Sequence, residues 1–371
     1  MKRVIVGMSG GVDSSVAALL LKKQGYEVIG IYLKYKYKYK CTWREDSIDA
    51  MLVSQTLKIP FYIIDISKIY KKKIIKYIYK EYRKGFTPNP DILCNSKIKF
   101  KIFLEKLIDL KSYFLATGHY VIKKEIFENG KIYYKIKSGI DQNKDQSYFL
   151  CKLNQNQIKK SLFPLGNLTK KEVRQIASKY HLINAKKKDS QGICFIGKIK
   201  LFNFLKLKLK KKEGSIIEIN KNSDIYKNYK FLDKKIYKKE DGKIIGKHNG
   251  AHFFTKGQRK GLKIGGYKFP LFVIEKDIKN NILYVGMGKN HPGLYTKVVK
   301  TKNIHWINPN HDFFFKKKEV KCRIRYRQKL QKATLYKKKN KIYVEFEIPQ
   351  LAVNAGQFLV WYRNNEVIGS G

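Results

Sequence analysis

Two cysteines far apart in the chain stand in company that suits sulfur chemistry. Cys94 lies in the run Thr87-Pro88-Asn89-Pro90-Asp91-Ile92-Leu93-Cys94-Asn95. Pro88 and Pro90 exclude a helix interior and fix a rigid loop, with a helix expected over roughly residues 96 to 110. That loop delivers Asp91 and Cys94 close to a helix N-terminus, where a thiol pKa falls. Cys194 follows Lys186, Lys187, Lys188 and the turn residue Gly192. Cations beside a thiol favour the thiolate, which is the reactive form. The same residues also fit a bland reading: an inert cysteine after an Asx-Pro turn, and a buried thiol packed on Phe195.

A second stretch suits phosphate. Val4-Ile5-Val6 reads as a buried strand, Ser9-Gly10-Gly11 as a tight turn, and Asp13-Ser14-Ser15 as the opening of a helix through Leu21. Glycines let backbone N–H groups approach an anion, and the first-turn N–H groups point at it. No Gly-Lys-Ser/Thr follows, so the loop is not a Walker A motif.

The elements that must position these groups alternate between strand and helix. Residues 27–33, 61–66 and 113–116 read as further strands, with helices over 46–57 and 69–84. That alternation implies a parallel sheet with helices on both faces, whose ligands bind at the strand C-termini. Gly118 and His119 sit at such an end, although His119 could be a satisfied turn histidine. A hairpin turns at Glu128-Asn129-Gly130, and Thr169 with Glu172 has capping-box spacing. Past the charge run Lys206 to Lys212 the texture becomes strands and turns, and the last part alternates like an antiparallel β-barrel. Arg323, Arg325 and Arg327 should then share one strand face, either gripping RNA or facing solvent. The expected units are an α/β domain at 1–205, a small β-rich domain at 206–275 and a β-barrel at 276–371.

Eighty Lys and Arg against 29 Asp and Glu give a formal charge of +51. This favours a polyanion through counterion release. Abundant Lys, Ile, Tyr and Asn throughout the chain also suit a coding bias that loads Lys onto solvated faces. Five scattered cysteines exclude a disulfide framework, and none has zinc spacing. The absence of an 18-residue apolar run excludes a transmembrane helix, and an N-terminus that enters a strand at once leads us to expect a cytoplasmic protein.

Taken in order, the segments resemble the bacterial tRNA-specific 2-thiouridylases along the whole chain. The resemblance rests on Ser9-Gly10-Gly11-Val12-Asp13-Ser14-Ser15, the Thr87 to Asn95 run, Thr117-Gly118-His119-Tyr120, Lys144-Asp145-Gln146-Ser147-Tyr148-Phe149-Leu150, Gly192-Ile193-Cys194-Phe195-Ile196-Gly197, Gly257-Gln258-Arg259-Lys260-Gly261-Leu262 and Arg325-Tyr326-Arg327-Gln328. It implies a doubly wound ATP pyrophosphatase domain whose Gly7, Met8, Ser9, Gly10, Gly11, Val12, Asp13 and Ser14 bind ATP, with Leu33 and Gly118 beside the nucleotide. It places Asn89, Pro90 and Asp91 at the target base. It assigns His119, Lys144, Asp145, Gln146, Arg325, Tyr326 and Gln357 to tRNA. Cys94 would be the nucleophile and Cys194 the persulfide carrier, joined in a transient disulfide, with Asp91 a general acid or base. Mg²⁺ would accompany ATP, with no dedicated metal site. The partners would be tRNAs for Lys, Glu and Gln and a persulfide donor, either a cysteine desulfurase or a sulfur-relay protein. Departures are few: Leu33 replaces a usual methionine, Gln191 a threonine, and Asn354-Ala355-Gly356 lacks a proline. Cys41, Cys151 and Cys322 are expected to be structural. A tRNA-binding protein with decayed catalysis is the competing reading. It predicts damage to the phosphate loop or to either cysteine, and the sequence has neither.

Overall fold

The computed structural model describes residues 1–36, 43–128, 130–189, 192–197, 201–227, 235–309, 316–339 and 341–371. Cys41, Asn129 and Gln191 lie outside them.

Five parallel strands form the first sheet: β1 (Arg3–Gly7), β2 (Glu27–Lys34), β3 (Phe61–Asp65), β4 (Phe114–Ala116) and β7 (Ser161–Leu162), in the order β3-β2-β1-β4-β7. Alternate residues of β1 and β2 feed two cores. Ile5, Ile29, Ile31 and Leu33 pack into one, and Val4, Val6, Val28 and Tyr32 into the other. Both faces are therefore covered by helices, which is the doubly wound arrangement. The order reverses at β1, so the crevice for ligands opens at its C-terminal end, where the phosphate loop begins.

Between β4 and β7 lies the hairpin β5 (Val121–Glu128) and β6 (Lys131–Ser138). It joins the C-terminal sheet instead of the first, because β6 pairs with β18 (Glu366–Ser370). That antiparallel sheet also holds β12 (Tyr295–Thr301), β13 (His305–Trp306), β14 (Lys317–Arg323), β15 (Gln331–Lys338), β16 (Lys341–Leu351) and β17 (Val360–Arg363). Side chains tighten the joint: the Tyr148 hydroxyl donates to Phe358 O at 2.9 Å, and the Ser147 and Tyr362 hydroxyls lie 3.2 Å apart.

A four-stranded sheet stands between them, with β8 (Gly214–Glu218), β9 (Lys243–His248), β10 (Leu271–Asp277) and β11 (Ile282–Met287). The expected boundary at 275/276 is corrected here. Strand β11 pairs with both β10 and β8, so a cut at 275 would split one sheet.

Candidate active site

The two cysteines meet. Asn89 caps the helical turn Pro90–Cys94, its side-chain oxygen accepting the Asp91 N–H at 3.2 Å. Pro90 fits at the first helical position because its missing N–H would be unpaired there anyway. The helix thus starts six residues before the expected Ser96 and carries Cys94 as its fifth residue. Cys194 arrives on a tight loop closed by an Ile193–Gly197 bridge. Two contacts clamp its backbone. Its N–H donates to Asp91 Oδ1 at 3.0 Å, and its carbonyl accepts the Tyr70 hydroxyl at 2.5 Å. The Tyr70 ring is buried edge-on against Phe195, centroids 5.5 Å apart. The thiols of Cys94 and Cys194 are free and near enough to shift each other's ionisation.

Their ionisation differs, and here two expectations are corrected. Cys94 is fully buried, and burial together with the hydrogen bond to Cys194 pushes its thiol well above the ordinary range. The nearby helix N-terminus does not offset that desolvation. Cys194 is the lowered thiol, brought to about 7 first by the hydrogen bond from Cys94 and then by the charge of Lys99. The three lysines before it do not supply the cation. Lys186 and Lys188 are exposed, and Lys187 binds Asp46 and Asp49 at 2.7 and 2.6 Å. Burial raises the Asp91 carboxyl, while the Cys194 N–H and Lys99 pull it back.

The phosphate loop follows β1. Gly10 has φ +72°, and a Cβ there would lie 2.2 Å from Asp46 O, so only glycine fits. The Ser14 hydroxyl donates to Gly11 O at 3.0 Å and accepts the Ser9 N–H at 3.0 Å, and Asn184 Nδ2 donates to Gly10 O at 3.1 Å. Gly11 at the helix N-cap offers no side chain to cover the first-turn N–H groups. A Cβ at Gly118 would come within 2.8 Å of the Asp13 and Ser14 backbone. The cradle therefore fits a nucleotide phosphate chain. Cations surround it. Lys170 Nζ binds Asp13 at 2.6 Å and Asp189 at 2.7 Å. Asp189 also pairs with Lys144, and these lysines bring its carboxyl down to about 2 against the effect of burial. Among the described residues no group of three His, Cys, Asp or Glu side chains is placed to hold a metal.

One residue past Gly118, His119 links the two centres. Its ring centroid lies 6.0 Å from that of Phe100, the neighbour of Lys99, and its Nδ1 is 2.7 Å from the Thr117 hydroxyl. Burial, then Lys99, push the imidazole down to about 3, so it is neutral at physiological pH. A cavity of about 420 Å³ opens between Thr87, Gln258, Arg325, Tyr326, Asn354 and Gln357.

These arrangements sit in a chain with full-length relatives. A tRNA methyl transferase HUP domain matches residues 2–198, a tRNA methyl transferase PRC-barrel domain 223–287 and an aminomethyltransferase β-barrel domain 296–371. The chain is 78% identical over 375 residues to the tRNA-specific 2-thiouridylase MnmA of Karelsulcia muelleri, covering 100% of this chain and 98% of that one. It is 51% identical over 394 residues to the protein of the same name from Flavobacterium johnsoniae, covering 100% and 99%. This chain belongs to the tRNA-specific 2-thiouridylase family.

The residues that the thiouridylase resemblance assigns to tRNA fall into three places. Arg325, Tyr326 and Gln357 line the cavity. Arg325 donates to Ala352 O at 3.0 Å, the Tyr326 ring packs tilted against Phe149 with centroids 4.6 Å apart, and Gln357 donates to Thr87 O at 2.6 Å. Lys144 and Gln146 lie elsewhere, Lys144 on Asp189 and Gln146 accepting the Tyr120 N–H at 3.1 Å. Asp145 is interior, 2% exposed, in an ion pair with Arg323 at 2.6 Å. A tRNA contact through its carboxylate is corrected to an internal clamp. The three arginines do not share a strand face either: β14 ends at Arg323, which is buried, and Arg327 turns away with φ +64°.

Sequence reasoning missed Lys99, Tyr70 and Lys170, and gave Lys187 to the wrong partner. Lys170 had a signal, since it opens the helix capped by Thr169 and Glu172. The others are ordinary lysines and a tyrosine until the fold brings them in.

Proposed function

We propose that the chain thiolates carbon 2 of the wobble uridine, position 34, of tRNA. It does so with ATP and with sulfur carried as a persulfide on Cys194. The observation that carries this reading is that Asp91, three residues before the buried Cys94, and Tyr70 clamp the Cys194 backbone and so bring the two free thiols together.

The chemistry needs these parts. The uracil 2-oxygen is a poor leaving group. Transfer of the adenylyl group of ATP to it makes AMP the leaving group, and pyrophosphate departs from the phosphate loop. The outer sulfur of the Cys194 persulfide then attacks carbon 2 directly, or Cys94 attacks Cys194 Sγ and releases hydrosulfide to do so. Attack by Cys94 leaves a Cys94–Cys194 disulfide for a reductant to reopen. The nearness of the two thiols supports that step. Mg²⁺ would enter with ATP. The target base must leave its stack to reach the crevice. Tying of the cavity to the Thr87 loop through Gln357 supports a tRNA surface there. The expected acceptors are the tRNAs for Lys, Glu and Gln.

The test is thiolation of a wobble-uridine tRNA with ATP and a persulfide donor, read on a mercury-containing gel. Wild type should give a retarded product, and Cys94→Ala none. Cys194→Ala should work only with free sulfide. A wild type that binds tRNA but yields no thiolated product with any donor would refute the reading.

A further inference from the structure

Lys99 has no role in the reaction as set out above, yet it stands at its centre. The helix that carries Cys94 widens immediately after it into a π turn, Asn95–Lys99, with the Phe100 N–H bonded to Asn95 O. Such turns are rare and frequent at functional sites. A π turn repeats at the fifth residue, which brings Lys99 back toward the side of the helix that bears Cys94. The Lys99 ammonium lies 5.4 Å from the ring centroid of Phe195, the residue next to Cys194, close enough for its charge to act on the Cys194 sulfur. A second π turn, Lys71–Ile75, follows Tyr70, the residue that holds the Cys194 carbonyl. A π turn therefore adjoins each of these two residues, ending at Lys99 and beginning just after Tyr70.

We propose that Lys99 is a further catalytic residue, whose ammonium holds the Cys194 sulfur as an anion while it accepts and carries the transferred sulfur. This rests on the thiouridylase reading above. In the loading step the Cys194 thiolate attacks the outer sulfur of a donor persulfide. The Cys194 Sγ–S bond forms as the donor S–S bond breaks, and the donor's inner sulfur leaves with the electron pair as a thiolate. No oxidant is required, because the sulfane sulfur passes on at its own oxidation level. The new persulfide ionises to an anion that meets the same ammonium. The groups facing this centre are Asp91, Cys94, Tyr70 and His119. Asp91 is the only carboxylate among them, and the Cys194 N–H holds it. Burial opposes the charge on Lys99, but the Cys194 anion and Asp91 outweigh it and keep Lys99 protonated.

The experiment uses the full chain with Lys99→Met, Lys99→Gln and Lys99→Arg. Site-resolved alkylation of Cys194 by iodoacetamide and sulfur loading from glutathione persulfide are followed from pH 6 to 9.5 by mass spectrometry. Lys99→Met and Lys99→Gln should each slow both reactions at pH 6.5 by about tenfold or more, the loss for a titration moved up by at least one pH unit. The deficit should close toward pH 9.5, and Lys99→Arg should retain most of the wild-type rate. A Lys99→Met or Lys99→Gln profile that overlays wild type would overturn the proposal. So would a deficit unchanged at pH 9.5, which marks mere misfolding. The same wild-type sample is assayed for tRNA thiolation with free sulfide. A wild type that thiolates while both variants load normally sinks Lys99 alone. A wild type that loads sulfur but never thiolates, with both variants deficient, sinks the thiouridylase reading and upholds Lys99.

Discussion

Asp145→Asn separates two roles for one residue. If Asp145 touched tRNA, the substitution would weaken tRNA binding and leave the fold alone. The structure instead buries its carboxylate against Arg323 at 2.6 Å, with side-chain exposures of 0% and 6%. Arg323 belongs to β14 in the C-terminal sheet, and Asp145 to the loop beneath the catalytic crevice. Removing one charge strands the other in the interior, which costs about 3–5 kcal/mol. The asparagine keeps a carbonyl that can still accept the Ser147 N–H, now bonded at 3.0 Å to Asp145 Oδ1, so the lower end applies. The expected loss is about 3 kcal/mol. Pairing it with Arg323→Met removes the stranded cation, so the double variant should recover about 1–3 kcal/mol of the summed single losses. Urea unfolding followed by tryptophan fluorescence reads this directly, since Trp361 is fully buried in that sheet and Trp306 packs on it at 5.4 Å. An Asp145→Asn midpoint within about 0.5 kcal/mol of wild type, the range of a neutral surface change, together with weaker tRNA binding, would refute the argument.

Two further predictions address the crevice. Gly118→Ala would place a Cβ 2.8 Å from the backbone of Asp13 and Ser14, so it should distort the phosphate loop. AMP formation should fall by on the order of tenfold or more, the scale of a small misplacement at a reacting centre, while the Cys194 alkylation profile stays put. His119 is neutral above about pH 3, so it cannot act as a cation toward phosphate. His119→Asn should therefore leave the slope of log affinity against log salt for tRNA unchanged from pH 6 to 8. A slope reduced by about one at pH 6 would show a charged imidazole instead.

What the sequence made legible was local. The β-branched run at Val4 to Val6, the glycine turn and the capping box at Thr169 each follow from a few neighbouring residues, and the structure has all three. The pairing of Cys94 with Cys194 was available only through resemblance, because no local rule brings together two loops so far apart in the chain. Misreadings came where burial overrules a local rule. A thiol near a helix N-terminus is lowered in water-exposed sites, but Cys94 is sealed by Ile92, Ile98 and Tyr70 in one core. Pro90 read as a loop residue because proline breaks helices, yet at the first position it starts one. Three lysines in sequence beside Cys194 looked like its cation source. The fold spends Lys187 on Asp46 and Asp49 and brings Lys99 from another element.

The inequality of the two thiols dictates an order of events. In the free protein Cys94 is protonated and sealed, and Cys194 is the thiolate of the pair, so sulfur should load on Cys194 while Cys94 waits. Cys94 can attack only after its proton leaves, and a persulfide on Cys194 no longer offers the hydrogen-bonded thiolate that now favours the protonated form. Loading therefore removes one of the influences that hold Cys94 inactive. Competitive alkylation of the unloaded protein at pH 7 tests the first half of this. At pH 7 Cys194, lowered to about 7, is substantially ionised while burial keeps Cys94 protonated, and the weaker nucleophilicity of the lower-pKa thiol returns only part of that advantage. Cys194 should therefore be modified faster than Cys94, and burial of Cys94 widens the gap. Equal labelling of the two cysteines before sulfur is added would mean that Cys94 is already ionised, and the order inferred here would be wrong.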